Sequence, residues 1–434
     1  MKTQLPGRTF KKSEELLARS LKVIPSGSQT FSKGHTQYPV GASPLFLERG
    51  KGAYVWDVDG NEYIDYPLAL GPNILGYGNA AVDEAVIRQV RDGASFSLPH
   101  RLEVEVAEML TERIPCAEMV RFAKNGSDVT SAAVRVARAV TGRDHIACCG
   151  YHGWQDWYIG STTRDLGVPK AVKDLTHTFD YNNLSSLQAL FDKHPGKIAA
   201  VVLEPIGVVD PKPGFLEGVA ALARKNGALL VFDEVVTGFR MGRGGAQGLY
   251  KVTPDLACFG KAMANGFPLA AIAGKAEYMK TIDDIFFSFT AGGEAVSLAA
   301  AKATMLELDR LDVYPHIFKL GDRLRDGLNK LIASEGLSNK AACIGPGPHT
   351  VMTFTGATDE ESLILRTLFQ QESIARGILF LVGHNVCAAL SAQDVDRTLE
   401  AYAETLPVMK KALESGRPGS FLRGRMVKPV FRKA

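Results

Sequence analysis

The spacing of hydrophobic residues changes character along the chain. Between residues 53 and 66, AYVWDVDGNEYIDY alternates apolar and polar positions on both sides of Asp59-Gly60, which predicts two short strands and a tight turn. Upstream, Ser13 precedes EELLARSLKV, with acids in its first turn and Pro25 beyond its end, which predicts a helix with Ser13 as N-cap. Residues 26–50 are punctuated by Gly, Ser and Pro and read as loop. From about residue 75 the spacing turns helical, in AAVDEAVIRQVRDG and EVEVAEMLTERI. Short, continuously apolar runs follow: EMVRFA, HIACC, KIAAVVLEP, GALLVFDEV and LACFG. Helical stretches such as SLQALFDKH and GVAALARKNG lie between some of them. Runs this apolar cannot leave one face in water, so the alternation predicts an α/β fold built on a mostly parallel sheet covered on both faces. A long helix is expected from about Ala295 to Leu311, and weaker strands among amphipathic helices beyond about residue 325 predict a smaller α+β unit. The expected division is an N-terminal segment, 1–74, that joins the small domain, a large domain over 75–325 and a small C-terminal domain over 326–434.

Composition narrows the function. The chain has 434 residues with a net charge of +3, too weak a basic excess for a general nucleic-acid binder. No apolar run approaches the roughly 18–20 residues that span a bilayer, so no membrane association is expected. Cys116, Cys148, Cys149, Cys258, Cys343 and Cys387 include no CxxC pair and stand mostly among apolar residues. They read as buried thiols of a cytoplasmic protein rather than a disulfide framework. The first residues carry positive charge but no apolar core of a secretory signal. The basic end, RPGSFLRGRMVKPVFRKA, reads as a solvated or surface-docked tail.

The chemistry concentrates where strands end. GALLVF runs into Asp233-Glu234, and carboxylates at the C-terminal end of a buried parallel strand lie where open α/β sheets bind ligands. Lys261 follows a second apolar strand, DLACFG, and precedes the flexible MANGFP. A lysine there is costly to desolvate unless it is paired or chemically modified. In AKNGSDVTSAAVRVARAVTG, a strand end passes through Gly126-Ser127-Asp128 into a helix whose free N–H groups and dipole suit a phosphate.

Together, DEVVTGFR and GGAQGLYKVTPDLACFGKAMANGFPLAA resemble the pyridoxal-phosphate signature of the class III aminotransferases, and within them most the glutamate-1-semialdehyde aminomutase branch. The resemblance runs from about Ile24 to Leu399. It implies a fold type I transferase, with the large domain holding pyridoxal 5′-phosphate, and a Lys Schiff-base ping-pong mechanism. In that reading Lys261 carries the cofactor and Asp233 faces the pyridine nitrogen, keeping it protonated so that the ring is a better electron sink. Lys261, once displaced by a substrate amine, then shuttles the proton. Gly126 and Ser127 match the phosphate turn, which reads Asn-Gly-Ser here rather than Ser-Gly-Thr. In GYHGWQDW, Tyr151 is implied on one face of the pyridine ring, with His152 beside it as a candidate substrate contact. Val235, two residues beyond Asp233 on the same side of its strand, is expected on the other face. Glu204 in LEPIG is implied near the cofactor. Thr290 in SFTAGGEAVSLAAAKA matches a threonine that reaches the cofactor phosphate of the neighbouring subunit, which implies a homodimer with shared active sites.

The substrate residues depart from the aminomutase pattern. Where that pattern reads roughly Pro-Gly-Gly-Val-Asn-Ser-Pro-Val-Arg, this chain reads PSGSQTFSK, so the Ser position falls on Thr30 and the Arg position on Lys33. Lysine can pair with a carboxylate but lacks the planar bidentate fork. Leu70 stands where the aminomutase has a Trp, and His384 and Asn385 lie where it has an active-site Glu. The expectation is an aminotransferase moving an amino group between an amine or amino-acid donor and a carbonyl acceptor. The alternatives are glutamate-1-semialdehyde 2,1-aminomutase, a racemase or decarboxylase sharing the cofactor site, and a non-catalytic binding protein.

Overall fold

The computed structural model describes residues 8–429. They divide into two compact units, one formed by residues up to Leu70, Leu75–Asn79 and the chain from Pro315 onward, the other by Gly71–Ile74 and Ala80–Tyr314.

The second unit is built on a seven-stranded sheet. In chain order its strands are β1 (Met119–Ala123), β2 (His145–Cys149), β3 (Thr176–Thr178), β4 (Ile198–Leu203), β5 (Leu229–Asp233), β6 (Leu256–Phe259) and β7 (Ala270–Gly274). They lie side by side as β1-β7-β6-β5-β4-β2-β3. The pairs from β6 through β3 are parallel, and β7 runs against both of its neighbours. Every residue of β4, β5, β6 and β7 is buried, which is why their sequences show no polar alternation. The helix Gly126–Thr141 lays Val129, Ala133, Val136 and Ala137 into the same core, and Gly142, left-handed at φ 65°, ends it. The expected long helix spans Ala295–Arg310 and buries ten residues of its length. Strand β7 was not foreseen: PLAAIAG is too rich in Ala and Gly to announce a strand.

The first unit holds the expected hairpin, with Tyr54–Asp57 antiparallel to Glu62–Asp65 around the turn at Gly60 (φ 91°). Ile378–Leu379 joins its sheet in parallel, and a separate three-stranded sheet of Ala341–Ile344, His349–Phe354 and Gly383–Asn385 completes the small α+β architecture. The N-terminal helix spans Lys11–Val23, so Ser13 is inside it and not its N-cap. The capping acceptor comes from the hairpin turn instead: the Asp59 carboxylate accepts the N–H groups of Lys12 (2.9 Å) and Ser13 (3.0 Å). A charged acceptor satisfies two orphan donors and the helix dipole together, which a Ser hydroxyl cannot match. The Ser13 hydroxyl turns inward and accepts the N–H of Leu45 at 3.3 Å. Leu68, Ala69 and Leu70 form a run of left-handed residues, at φ 44°, 57° and 77°.

All six cysteines are free thiols, and all but Cys149 are buried. Among the described residues no helix is long and apolar enough to cross a membrane.

Candidate active site

Parallel register brings the chemistry to one edge. Cys149 pairs with Leu203, Leu203 with Phe232, and Asp233 with Cys258, so β2, β4, β5 and β6 finish nearly level. The residues that leave those ends are Tyr151 and His152, Glu204, Asp233 and Val235, and Lys261. Gly126 and Ser127, opening the helix that follows β1, join them: a Cβ added at Gly126 would stand 3.0 Å from Val235 Cγ1.

Asp233 is 5% exposed, and each of its two oxygens has one partner. Its Oδ1 accepts the N–H of Val235 at 3.1 Å, and its Oδ2 lies 2.8 Å from His152 Nδ1. The other ring nitrogen of His152, Nε2, donates to the Cys149 carbonyl at 3.1 Å. Both nitrogens therefore face acceptors, so a proton resides between Nδ1 and Oδ2, and the pair is one unit in which the imidazole fixes the carboxylate's direction. His152 is 1% exposed and lies against Trp157, with ring centroids 6.0 Å apart. The ring expected beside the substrate is thus buried, with one nitrogen at Asp233 and the other at the Cys149 carbonyl. Its adjacency to Tyr151 in sequence was the only available signal.

Lys261 sits in a left-handed backbone conformation, φ 43°, at the start of a single 3-10 turn. For a residue with a Cβ this costs roughly 1–2 kcal/mol. Burial holds its ammonium below the ordinary lysine range; Glu204 and Asp233 oppose that shift and the Arg240 guanidinium adds to it. The amine therefore loses its proton at a lower pH than a solvated lysine, which makes it a better nucleophile toward an aldehyde at neutral pH. Arg240, fully buried, donates to the Gly71 carbonyl at 2.7 Å. Burial raises the Glu204 carboxyl, and the neighbouring Asp233 adds to the rise; Glu204 Oε2 accepts the N–H of Tyr151 at 3.2 Å. Tyr151 itself is 52% exposed, edge-on to Tyr158.

Glu234 performs a different task from its neighbour. Fully buried, it accepts the Thr237 hydroxyl, the N–H groups of Ala246 and Gln247, and the Gln247 side-chain amide. It thereby anchors the Gly-rich loop that follows β5. At the phosphate-type turn, Asp128 accepts the N–H of Asn125 at 2.8 Å and its own N–H donates to the Asn125 carbonyl at 3.1 Å, so Gly126 and Ser127 head the helix at its dipole-positive end. Gly153, at φ 104°, lets the following loop approach Ser127 so closely that a Cβ there would fall 2.2 Å from the serine Oγ.

Glycine-lined approaches, a helix N-terminus, a buried carboxylate–imidazole pair and a lysine with a lowered pKa fit a phosphorylated pyridine aldehyde. The class-III aminotransferase model matches residues 37–386. The chain belongs to that family. As a member it is a pyridoxal-phosphate-dependent enzyme of the aminotransferase/aminomutase type with the fold type I architecture. It is 37% identical over 414 residues to the 3-aminobutyryl-CoA aminotransferase of Cloacimonas acidaminovorans, covering 93% of this chain and 98% of that one. It is also 37% identical over 432 residues to the glutamate-1-semialdehyde 2,1-aminomutase of Alkaliphilus oremlandii, covering 93% and 100%. Among solved structures it is similar to the FumI protein of Sphingopyxis sp. MTA144 in its PLP internal aldimine form, at 30% identity, a TM-score of 0.86 and coverage of 95% and 100%.

The remaining expected residues are Thr290 in the second unit and Thr30, Lys33, Leu70 and Asn385 in the first. Thr290 is exposed on the turn ahead of the helix Ala295–Arg310. In the first unit, Lys33 and Leu70 line a mostly apolar cavity of about 450 Å³ together with Tyr38, Phe46, Asp65 and Leu379. Burial raises the Asp65 carboxyl to about 6, although the Tyr77 hydroxyl donates to it at 2.5 Å and the Lys33 charge also opposes the rise. Thr30 is the residue ahead of the 3-10 turn Phe31–Lys33 and accepts the Lys33 N–H at 3.1 Å. Asn385 pairs with His349 Nδ1 at 2.7 Å and donates to the Pro67 carbonyl at 3.0 Å.

Proposed function

We propose that this member of the family is an aminotransferase working between two separate molecules, an amine or amino-acid donor and a carbonyl acceptor, and not an aminomutase. Pyridoxal phosphate, when bound, supplies the aldehyde that exchanges amines and the ring that accepts electrons. The other tasks fall to the chain. Lys261 anchors the cofactor and moves the substrate proton. Asp233, oriented by His152, offers its carboxylate to the pyridine nitrogen. Gly126 and Ser127 hold the phosphate, while Tyr151 and Val235 flank the ring and Glu204 stands beside it.

The observation that carries the choice is the changed set of residues that the family pattern assigns to substrate. The Trp position is Leu70, on a strained backbone beside an apolar cavity; the Arg position is Lys33; and the Glu region holds Asn385, already engaged with His349 and Pro67. The 3-aminobutyryl-CoA aminotransferase relative supports an intermolecular reaction. An aminomutase needs no donor, because it returns the amino group to the same carbon skeleton. The expected result is negligible 5-aminolevulinate from glutamate-1-semialdehyde alone, and release of an oxo product from a suitable amino donor in the absence of acceptor. Efficient 5-aminolevulinate formation without a donor would refute the choice.

The same reading includes a homodimer in the cytoplasm. Thr290 on its exposed turn, with Phe286 and Phe289 exposed beside it, supports a second copy covering this surface, and the free thiols support a reducing compartment. Thr290 of one chain then completes the phosphate site of the other. Cofactor affinity should fall on dilution through the dimer dissociation range, measured by equilibrium dialysis beside ultracentrifugation. Full-affinity binding by a monomer would sink the shared-site proposal.

A further inference from the structure

Three histidines cluster at the end of the sheet away from Asp233 and Lys261. His145 is the first residue of β2, and His177 lies on the edge strand β3 beside it. In the parallel register His177 pairs with Ala147, two residues along from His145, so alternation puts both imidazoles on one face of the sheet. His194 ends the helix Leu184–Lys193, where its N–H donates to the Leu190 carbonyl at 3.0 Å. The chain is then tied back to the first histidine, since the His145 N–H donates to the Lys197 carbonyl at 3.1 Å. Three backbone positions remote in sequence are thus held together by sheet and helix hydrogen bonds, not by a mobile loop. β2 is five residues long, so about 13 Å of strand separates this cluster from the cofactor end.

The rings lie nearly parallel. His177 and His194 are stacked with centroids 4.1 Å apart, and His145 lies 5.1 Å from His177 and 5.0 Å from His194. His145 Nδ1 and His177 Nε2 share a hydrogen bond of 2.8 Å, whereas His194 Nε2 is buried with no hydrogen-bond partner. A buried, unpartnered ring nitrogen is uncommon and costs stability unless something fills its lone pair. One nitrogen from each ring lies within 4.8 Å of the others. Nitrogens around a tetrahedral ion with bonds of about 2.0–2.1 Å stand about 3.3 Å apart, so binding requires side-chain rotation that both closes this distance and tilts the stacked rings until their in-plane lone pairs converge.

We propose that His145, His177 and His194 form a binding site for a divalent ion of the imidazole-preferring transition metals, with zinc as its representative and water in the fourth position. Burial is the main cause that holds all three imidazoles below their ordinary range, His177 at about 4. The other ring charges of the cluster and the nearby Lys193, Lys197 and Arg138 act in the same direction, while Asp144 and Asp174 oppose them. Each ring keeps one N–H, and the tautomers of His145 and His177 redistribute so that both lone pairs face the metal. Three neutral nitrogens favour zinc, nickel or copper over the oxygen-seeking magnesium.

The test uses the full-length, untagged, cofactor-loaded enzyme with zinc chloride in competition with a chromophoric chelator. One zinc per chain is expected, bound in the micromolar range or tighter, with magnesium not competing. His177→Gln and His194→Gln should each weaken zinc by more than the roughly 10–100-fold that loss of an outer partner costs. His194 stands at a helix end and its Nε2 has no hydrogen bond to lose, so His194→Gln removes ring stacking only, and circular dichroism checks that its fold is kept. Zinc should raise the melting temperature of the wild type and of neither variant. Zinc bound equally by wild type and both variants, zinc lost on alkylating Cys149 alone, or no binding by the wild type would each overturn the site.

Discussion

Replacing Lys261 by alanine is expected to lower turnover by more than about 10³-fold and to abolish borohydride-trappable attachment of pyridoxal phosphate to the protein. The two tasks proposed for this amine, covalent anchoring and proton movement at the substrate carbon, would disappear together. The fold should persist. Alanine removes only atoms beyond Cβ and introduces no new contact, and the left-handed backbone is as strained for alanine as for lysine. Circular dichroism, absorbance after reduction and single-turnover kinetics read the three parts separately. Lys261→Arg should be equally inactive, because a guanidinium keeps its proton and cannot add to an aldehyde. A variant that still transaminates near the wild-type rate would remove Lys261 from its proposed role.

The second large effect is expected at Asp233→Asn, about 10²–10³-fold in kcat with a smaller change in KM. The amide is nearly isosteric, and its single oxygen can still accept the His152 Nδ1–H, at the cost of the Val235 N–H acceptor. What is lost is the negative charge, held in a place nearly closed to water, that would keep the pyridine nitrogen protonated. Proton abstraction from the substrate should become more rate-limiting, visible as a larger deuterium isotope effect on the α-deuterated donor. An unchanged isotope effect together with an unchanged kcat would show that the charge at this position is not used.

The legibility of these features follows their range in sequence. β4 and β5 were readable because strands buried on both faces must be apolar throughout, and Asp233 and Lys261 because polar residues directly after such strands demand an explanation. β7 left no trace: alanine and glycine serve helix packing, loops and close strand packing alike. The capping of the first helix was misread because Ser13 satisfies the local rule, whereas the Asp59 carboxylate arrives from 46 residues away. The His152–Asp233 pair spans 81 residues and depends on β2 and β5 ending at the same level, which no local pattern encodes. The histidine cluster is hidden in the same way, since HIACC, THT and DKH each look like ordinary strand or helix-end sequence.

The left-handed run Leu68–Leu70 bears on how this enzyme could acquire new specificities. Each of these residues occupies a backbone region that glycine and asparagine tolerate and β-branched residues strongly resist. Leu70, at the position where the mutase pattern carries Trp, therefore does not sample all twenty side chains on equal terms. Valine, isoleucine and threonine are penalised before they meet any ligand, and glycine relieves strain while opening space. If Leu70 meets the substrate, as proposed, selection for bulkier substrates has a downhill first step at this position, whereas selection for a branched wall there must first reshape the backbone. A saturation library at Leu70 would be skewed by conformation before it was filtered by activity, and its survivors would have to be read against that bias.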